Sequence, residues 1–156
     1  MKFEHLLQIN DPADPLIVPL SRGQLWAGLM ARIDDPLPFL PGLESCTIIE
    51  RSTHGIHRQL DFGHTAIEDR VTLEEGRWVR FDIQPSPTHA GGSLIISIEE
   101  PQPEALFLRF CYQTNLGEGG ALEDRAYSEY VKSAYHQSDI DTVLIIRTLA
   151  AEGPAQ

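Results

Sequence analysis

The sequence has no apolar run approaching the roughly 20 residues that cross a bilayer, so no membrane-inserted helix is expected. Its start, MKFEHLLQIN, breaks up its apolar residues with acidic and polar ones, where a signal peptide needs a long apolar stretch. A cytoplasmic protein is therefore expected. Positive charge is scarce: 12 Lys and Arg stand against 23 Asp and Glu, a formal net charge of -11. The basic residues form no stripe, and an acidic surface repels phosphate backbones and anionic headgroups, so nucleic acid is not an expected partner. Cysteine is nearly absent. Cys46 and Cys111 stand far apart, which excludes a disulfide framework and suggests reduced, packed thiols.

Motifs that announce chemistry are missing as well. There is no CxxC and no HxxxH, so the six histidines do not suggest a metal site. There is no GxSxG, and neither cysteine has a histidine partner visible in the sequence. GEGGA (117–121) lacks a lysine and a preceding parallel strand, and reads as a hinge, not a phosphate loop. No cofactor is expected.

What is present is patterned. At 156 residues and 42% hydrophobic, the chain can bury a full core as one domain over 1–156, with a short disordered tail at about 152–156. Phe3, His5, Leu7 and Ile9 alternate as a first strand. DPADPLIVPLS follows, too rich in proline for regular structure. Ser21 with Gln24 reads as a capping box opening a helix through QLWAGLMARI. DDPLPFLPG then predicts one more short helical turn before Gly42, giving two short helices after the first strand. From Glu44 to Asn115 the period becomes two. Six strands are predicted over 45–51, 56–62, 65–74, 77–84, 92–100 and 105–114, with links short enough for an antiparallel meander. A last amphipathic helix is predicted over about 121–151. Placed on a wheel, Ala126, Tyr127, Tyr130, Val131, Ala134, Leu144, Ile145 and Leu149 share one half, with Arg125, Glu129, Lys132, His136, Asp139 and Arg147 opposite. Val143 and Ile146 fall on the polar side, which suggests a kink near Ser138 or a homodimer contact.

Two places break the pattern. In RQLDFGHTAIEDRV (58–71), a turn at Gly63-His64 places Phe62 opposite Thr65, Leu60 opposite Ile67, and Arg58 opposite Asp69. Cross-strand Cβ atoms lie about 4.5–5.5 Å apart, so an ion pair fits there, on the same face as the apolar residues. It is either a pair inside a cavity, with Arg58 presenting a fork to a carboxylate or enolate, or a structural pair at the sheet's end. On the last helix Asp141 falls near the middle of the apolar arc. Buried among aromatics, its pKa would rise, as suits a general acid or base. A helix bend at HQSDID, with Asp141 as a cap, is the alternative.

The element order, together with QLWAGLMARIDDP, FLPGLESCTIIER, EDRVTLEEGRWVRFD and YVKSAYHQSDIDTVLIIR, resembles the AtaL-like family of the START/SRPBCC helix-grip superfamily. That resemblance implies an α+β fold: a seven-stranded antiparallel sheet curved around the long C-terminal helix, with a cavity between them. It also implies that Trp26, Leu40 and Pro41 flank the cavity's mouth. It implies no particular reaction.

The expected function is binding of a small hydrophobic or aromatic molecule in that cavity. Its wall is expected from Leu60, Phe62, Ile67, Val71, Val79, Phe81, Leu108 and Phe110 on the sheet, with Tyr112, Tyr127, Tyr130 and Ala134 at its edge. The alternative is a polyketide cyclase- or aromatase-like enzyme in which Asp69 or Asp141, with Arg58, abstracts a proton and holds an enolate.

Overall fold

A computed structural model describes residues 2–87, 90–114 and 122–153, with 122–128 as backbone only. β1 (Lys2–Gln8) leads through the proline loop to α1 (Arg22–Asp34). Then come β2 (Ser45–Ser52), β3 (Gly55–Asp61), β4 (Ala66–Glu74), β5 (Trp78–Ile83), β6 (Gly92–Gln102) and β7 (Ala105–Thr114), and finally α2 (Leu122–Glu152). The strands form one antiparallel sheet in the order β1-β7-β6-β5-β4-β3-β2. Every link from β2 to β7 joins sheet neighbours, and β1 closes onto β7.

The local chemistry explains the boundaries. Ser21 Oγ accepts from the Gln24 amide at 3.0 Å, and Gln24 Oε1 accepts from the Ser21 amide at 2.9 Å. This reciprocal cap fixes the start of α1. The proline loop before it is held by a buried side chain: Asn10 Nδ2 donates to Leu20 O at 2.7 Å, and Leu20 N donates to Asn10 Oδ1 at 2.9 Å. The amide of Asn10 thus replaces the backbone pairing that three prolines cannot supply. Arg147 of α2 donates to Val18 O at 2.7 Å and also to Ile9 O, fastening the loop to the last helix.

Two expectations need correcting. The stretch 36–42 makes turns, with Pro36 O accepting from Phe39 N and Leu40 N, and no second short helix follows α1. Pro36, Pro38 and Pro41 bring no amide hydrogen, so a helical ladder cannot propagate there. The phase of α2 also differs from the wheel. Its inward line runs through Tyr135, Asp139, Thr142 and Ile146, while Tyr130, Ala134, Leu144 and Leu149 are exposed. Ile146 is 1% exposed, which removes it as a homodimer contact. Val143 too packs against the core. Residues 154–156 of the expected tail lie outside the described residues, and α2 itself runs to Glu152. Among the described residues no helix is long and apolar enough to cross a membrane.

The core lies between the sheet's concave face and the two helices. Val71, Val79, Ile96, Leu108 and Phe110 of the sheet meet Leu25, Leu29 and Ile33 of α1 and Ile146 of α2. Each such side chain, once buried, contributes about 1.5–3 kcal/mol. The helices touch closely at Gly28: a Cβ there would sit 2.5 Å from Ile146 Cγ2.

One polar contact runs through this apolar layer. Arg58 on β3 and Asp69 on β4 are register partners, 1% and 3% exposed. The fork is bidentate, Nε to Oδ1 at 2.9 Å and Nη2 to Oδ2 at 2.6 Å. Nη1 donates to Ile33 O at 2.9 Å and to Arg32 O at 3.4 Å, the last-turn carbonyls of α1. One guanidinium therefore neutralises a buried carboxylate and caps the negative end of a helix. Arg58→Met should lower unfolding stability by about 3–5 kcal/mol, because it strands a buried charge. The double variant Arg58→Met/Asp69→Leu should recover much of that loss in denaturant titration. A double variant no more stable than the single one would show that the capping bonds, and not the charge pair, dominate.

Candidate functional site

The concave face is not filled throughout. A cavity of about 170 Å³ lies where β3 to β7 approach α2, past the end of α1. Leu40, Leu60, Phe62, Ile67, Phe81 and Tyr112 line it, as do Arg58 and Asp69. It also takes in residues that the sequence pattern did not single out, among them Arg32, Leu94 and Tyr135. A cleft of about 470 Å³ beside the proline loop and a groove of about 1100 Å³ between α1 and α2 are larger. Neither brings charged side chains out of water: the cleft's Asp11, Asp14, Arg22, Glu100 and Glu104 all lie at the surface or half-buried, and the groove is lined largely by glycine, alanine and aliphatic residues.

Several expected wall residues belong to the solid core instead. Val71, Val79, Leu108 and Phe110 are fully buried in the core cluster they share with α1 and α2, and Trp26 packs against that same core without reaching the cavity. Alternation along a strand identifies the inner face, but not which part of it a helix covers. Tyr130 is 71% exposed and Ala134 is exposed, as the phase of α2 requires. The side chain of Tyr127 lies outside the described residues. Asp141 points away from the cavity and accepts from Gln137 Nε2 at 3.0 Å, one turn back on its own helix. Among the described residues it hydrogen-bonds no arginine or tyrosine. Arg58, with its bonds to Asp69 and α1 in place, does not present a free fork.

The buried carboxylate of α2 is Asp139, 1% exposed. The Tyr112 hydroxyl donates to its Oδ1, and its Oδ2 lies 2.7 Å from His5 Nδ1. Tyr112 and His5 come from β7 and β1. Phe3 is the register partner of Tyr112, and His5 is two residues on, diagonally across the same face. Tyr135, one turn before Asp139, stacks on Tyr112 with ring centroids 4.2 Å apart and planes 4° from parallel. His136 meets the His5 ring edge-on at 4.4 Å. Burial raises the Asp139 carboxyl above its ordinary pKa, opposed by the hydrogen bonds from Tyr112 and His5. Burial, then the Asp139 charge, pushes Tyr112 far above the usual phenol value. The three form a hydrogen-bonded network behind the cavity wall, with Tyr112 lining the hollow and Asp139 outside the lining.

Arg32 is the other residue missed. Leu25, Leu29, Arg32 and Ile33 follow helical spacing, so an arginine on the apolar face of α1 was visible in the sequence as an anomaly of the same kind as Arg58. It is 7% exposed, its Cζ stands 4.7 Å from the centroid of the Phe81 ring, and its Nε has no hydrogen-bond partner among the described residues. Cys46 and Cys111 are half-buried free thiols whose pKa values burial raises, which disfavours a nucleophilic thiolate.

A seven-stranded antiparallel sheet gripping a long C-terminal helix, with a hollow between them, defines the helix-grip fold. Within it, the chain belongs to the AtaL family: the family model described as acetylaranotin biosynthesis cluster protein L matches residues 7–153. No curated protein matches the sequence. Among solved structures, the fold is similar to the di-domain aromatase/cyclase StfQ from the steffimycin biosynthetic pathway, with TM-score 0.69 and 13% identity over 97% of this chain. This chain covers 50% of that two-domain protein. It is also similar to the Zhui aromatase/cyclase from Streptomyces sp. R1128, with TM-score 0.63, 19% identity and 99% of both chains covered. A third similar structure is Ara h 8.0201, with TM-score 0.60, 12% identity, and 95% and 98% of the two chains covered. At these identities the likeness establishes the fold.

The raised carboxyl pKa has a consequence for stability. A group whose pKa rises on folding favours the fold below its unfolded value, about 3.9 for Asp, and that contribution is lost as pH climbs through the folded value. Asp139→Asn keeps an acceptor for Tyr112 and removes the buried charge. At pH 7 it should match or exceed the unaltered chain in thermal midpoint, with the advantage shrinking toward pH 4. Asp139→Ala should lose about 1–3 kcal/mol by leaving Tyr112 and His5 without a partner. A loss for Asn as large as that for Ala would show that the charge itself holds the network together.

Proposed function

We propose that the protein binds a small, largely apolar aromatic molecule in the cavity between the sheet and α2. The observation that carries this reading is the composition of that hollow: Leu40, Leu60, Phe62, Ile67 and Phe81 supply apolar and ring surface, and a few buried polar groups interrupt it. Binding sites of this kind are mostly apolar with few placed polar groups. The volume sets a size limit. A cavity of about 150 Å³ holds benzene in an engineered case, so about 170 Å³ suits one ring with a small substituent. A panel of one- and two-ring aromatic compounds should include members that raise the thermal midpoint through linkage. Ile67→Trp, which fills the hollow from β4, should abolish that rise. A panel without one stabilising compound would refute the reading.

A second reading, proton transfer of the cyclase type, is favoured by the Tyr112–Asp139–His5 network at the cavity wall. A tyrosine hydroxyl tied to a buried carboxylate can deliver or accept a proton beside a bound enolisable ketone. Its residues differ from the Asp69, Asp141 and Arg58 set suggested by sequence. Offered acetophenone, a one-ring enolisable ketone, in deuterium oxide, the unaltered chain should speed its conversion to the α-deuterated ketone, and Tyr112→Phe should abolish that conversion while leaving binding measurable. Conversion unaffected by Tyr112→Phe, or none by the unaltered chain, would reject this second reading alone.

A further inference from the structure

Arg32 carries a charge that the fold leaves unanswered. Its side chain is 7% exposed and reaches the cavity wall, and its Nε, buried from solvent, has no hydrogen-bond partner among the described residues. The contact it does make is with the face of Phe81, 4.7 Å from the ring centroid. Stacking of this kind answers the flat side of a guanidinium and leaves its N–H edge unused. The nearby carboxylates are engaged elsewhere. Asp69 holds Arg58 with both oxygens, and Asp139 is held between Tyr112 and His5. Burial pulls the pKa of Arg32 below the ordinary arginine value, with the Tyr112 and Asp139 side opposing and Arg58 adding to the fall. Asp69 and Asp139 soften that penalty from a distance without a hydrogen bond, and a buried cation with no directly paired anion is costly until a partner arrives.

We infer that Arg32 is the anchor for a planar carboxylate, so that the molecule held in the cavity is a small aromatic acid. This rests on the binding reading above and names its ligand class. The guanidinium fork matches a carboxylate in two parallel hydrogen bonds. The wall formed by Leu60, Phe62 and Ile67 takes the ring, and the volume leaves room for little more than a ring and its acid group. Arg58 does not substitute for Arg32, because Asp69 and the end of α1 occupy its donors. Tyr112 does not donate to the ligand while its hydroxyl is bound to Asp139.

The test uses benzoate with two neutral probes of similar shape, benzamide and toluene, in calorimetric titration at millimolar concentration. Benzoate should bind the unaltered chain about tenfold or more tightly than benzamide, as a charge-assisted pair in a dry site provides. Arg32→Met should erase that preference and leave toluene within about twofold. The Arg32 Nε–H resonance of the unaltered chain should move on adding benzoate and stay with benzamide, while the Arg58 Nε–H stays with both. That spectrum decides the matter should Arg32→Met fail to fold. Equal binding of benzoate and benzamide, with the Arg32 resonance unmoved, would overturn the anchor and leave aromatic binding standing. Binding of none of the three would overturn both.

Discussion

The hinge of this structure is a guanidinium placed where an apolar side chain would ordinarily sit. Arg58 joins two neighbouring strands through Asp69 and reaches across to the carbonyls that end α1. Each partner needs the others. Asp69 without Arg58 is a buried anion, and the last turn of α1 without Arg58 has orphan acceptors above an apolar sheet. The contact fixes where α1 stops relative to the β3–β4 hairpin, and the hollow begins at that point. Past it the sheet's inner face is no longer covered by Leu25, Leu29 and Ile33, and the apolar layer opens into a cavity.

Among the described residues, the buried ionisable groups at and behind the hollow's wall fall into three sets. Arg58 and Asp69 neutralise each other and hold the scaffold. His5, Asp139 and Tyr112 form a chain across β1, α2 and β7, closed by the stack of Tyr135 on Tyr112. Arg32 stands apart, with an aromatic ring beneath it and no anion against it. The arrangement separates structural charge from available charge. Among the described residues most buried polar atoms are satisfied, and the Nε of Arg32 at the cavity wall is not.

Much of the architecture was legible because its signals are local. Period-two alternation gave strands that agree with the observed ones to within a residue or two, since each reflects one wet and one dry face. The cap at Ser21 depends on four consecutive residues, and the Arg58–Asp69 pairing on a two-residue turn whose register counts outward from Gly63. The errors arose where several elements compete for one surface. α2 carries apolar residues around much of its circumference, so the wheel had two plausible dry sides. It chose the one richer in aliphatic residues and tyrosine, and placed Asp139 outside. The observed dry line carries Asp139 and Thr142 because His5 and Tyr112 await a carboxylate there, a fact held by strands more than twenty residues away.

The sequence by itself determined the order of elements, the pairing of consecutive strands from β2 to β7 and the placing of Arg58 opposite Asp69 in the β3–β4 hairpin, because turn length and side-chain alternation fix those within a few residues. Only the tertiary structure decided which face of α2 turns inward, which part of the inner face is packed and which is hollow, and that Arg32 rather than Arg58 holds unused donors. Those outcomes depend on which surfaces meet. A helix's angle, a carboxylate's partner and the volume left between layers are properties of packed neighbours, and no single stretch of chain encodes them.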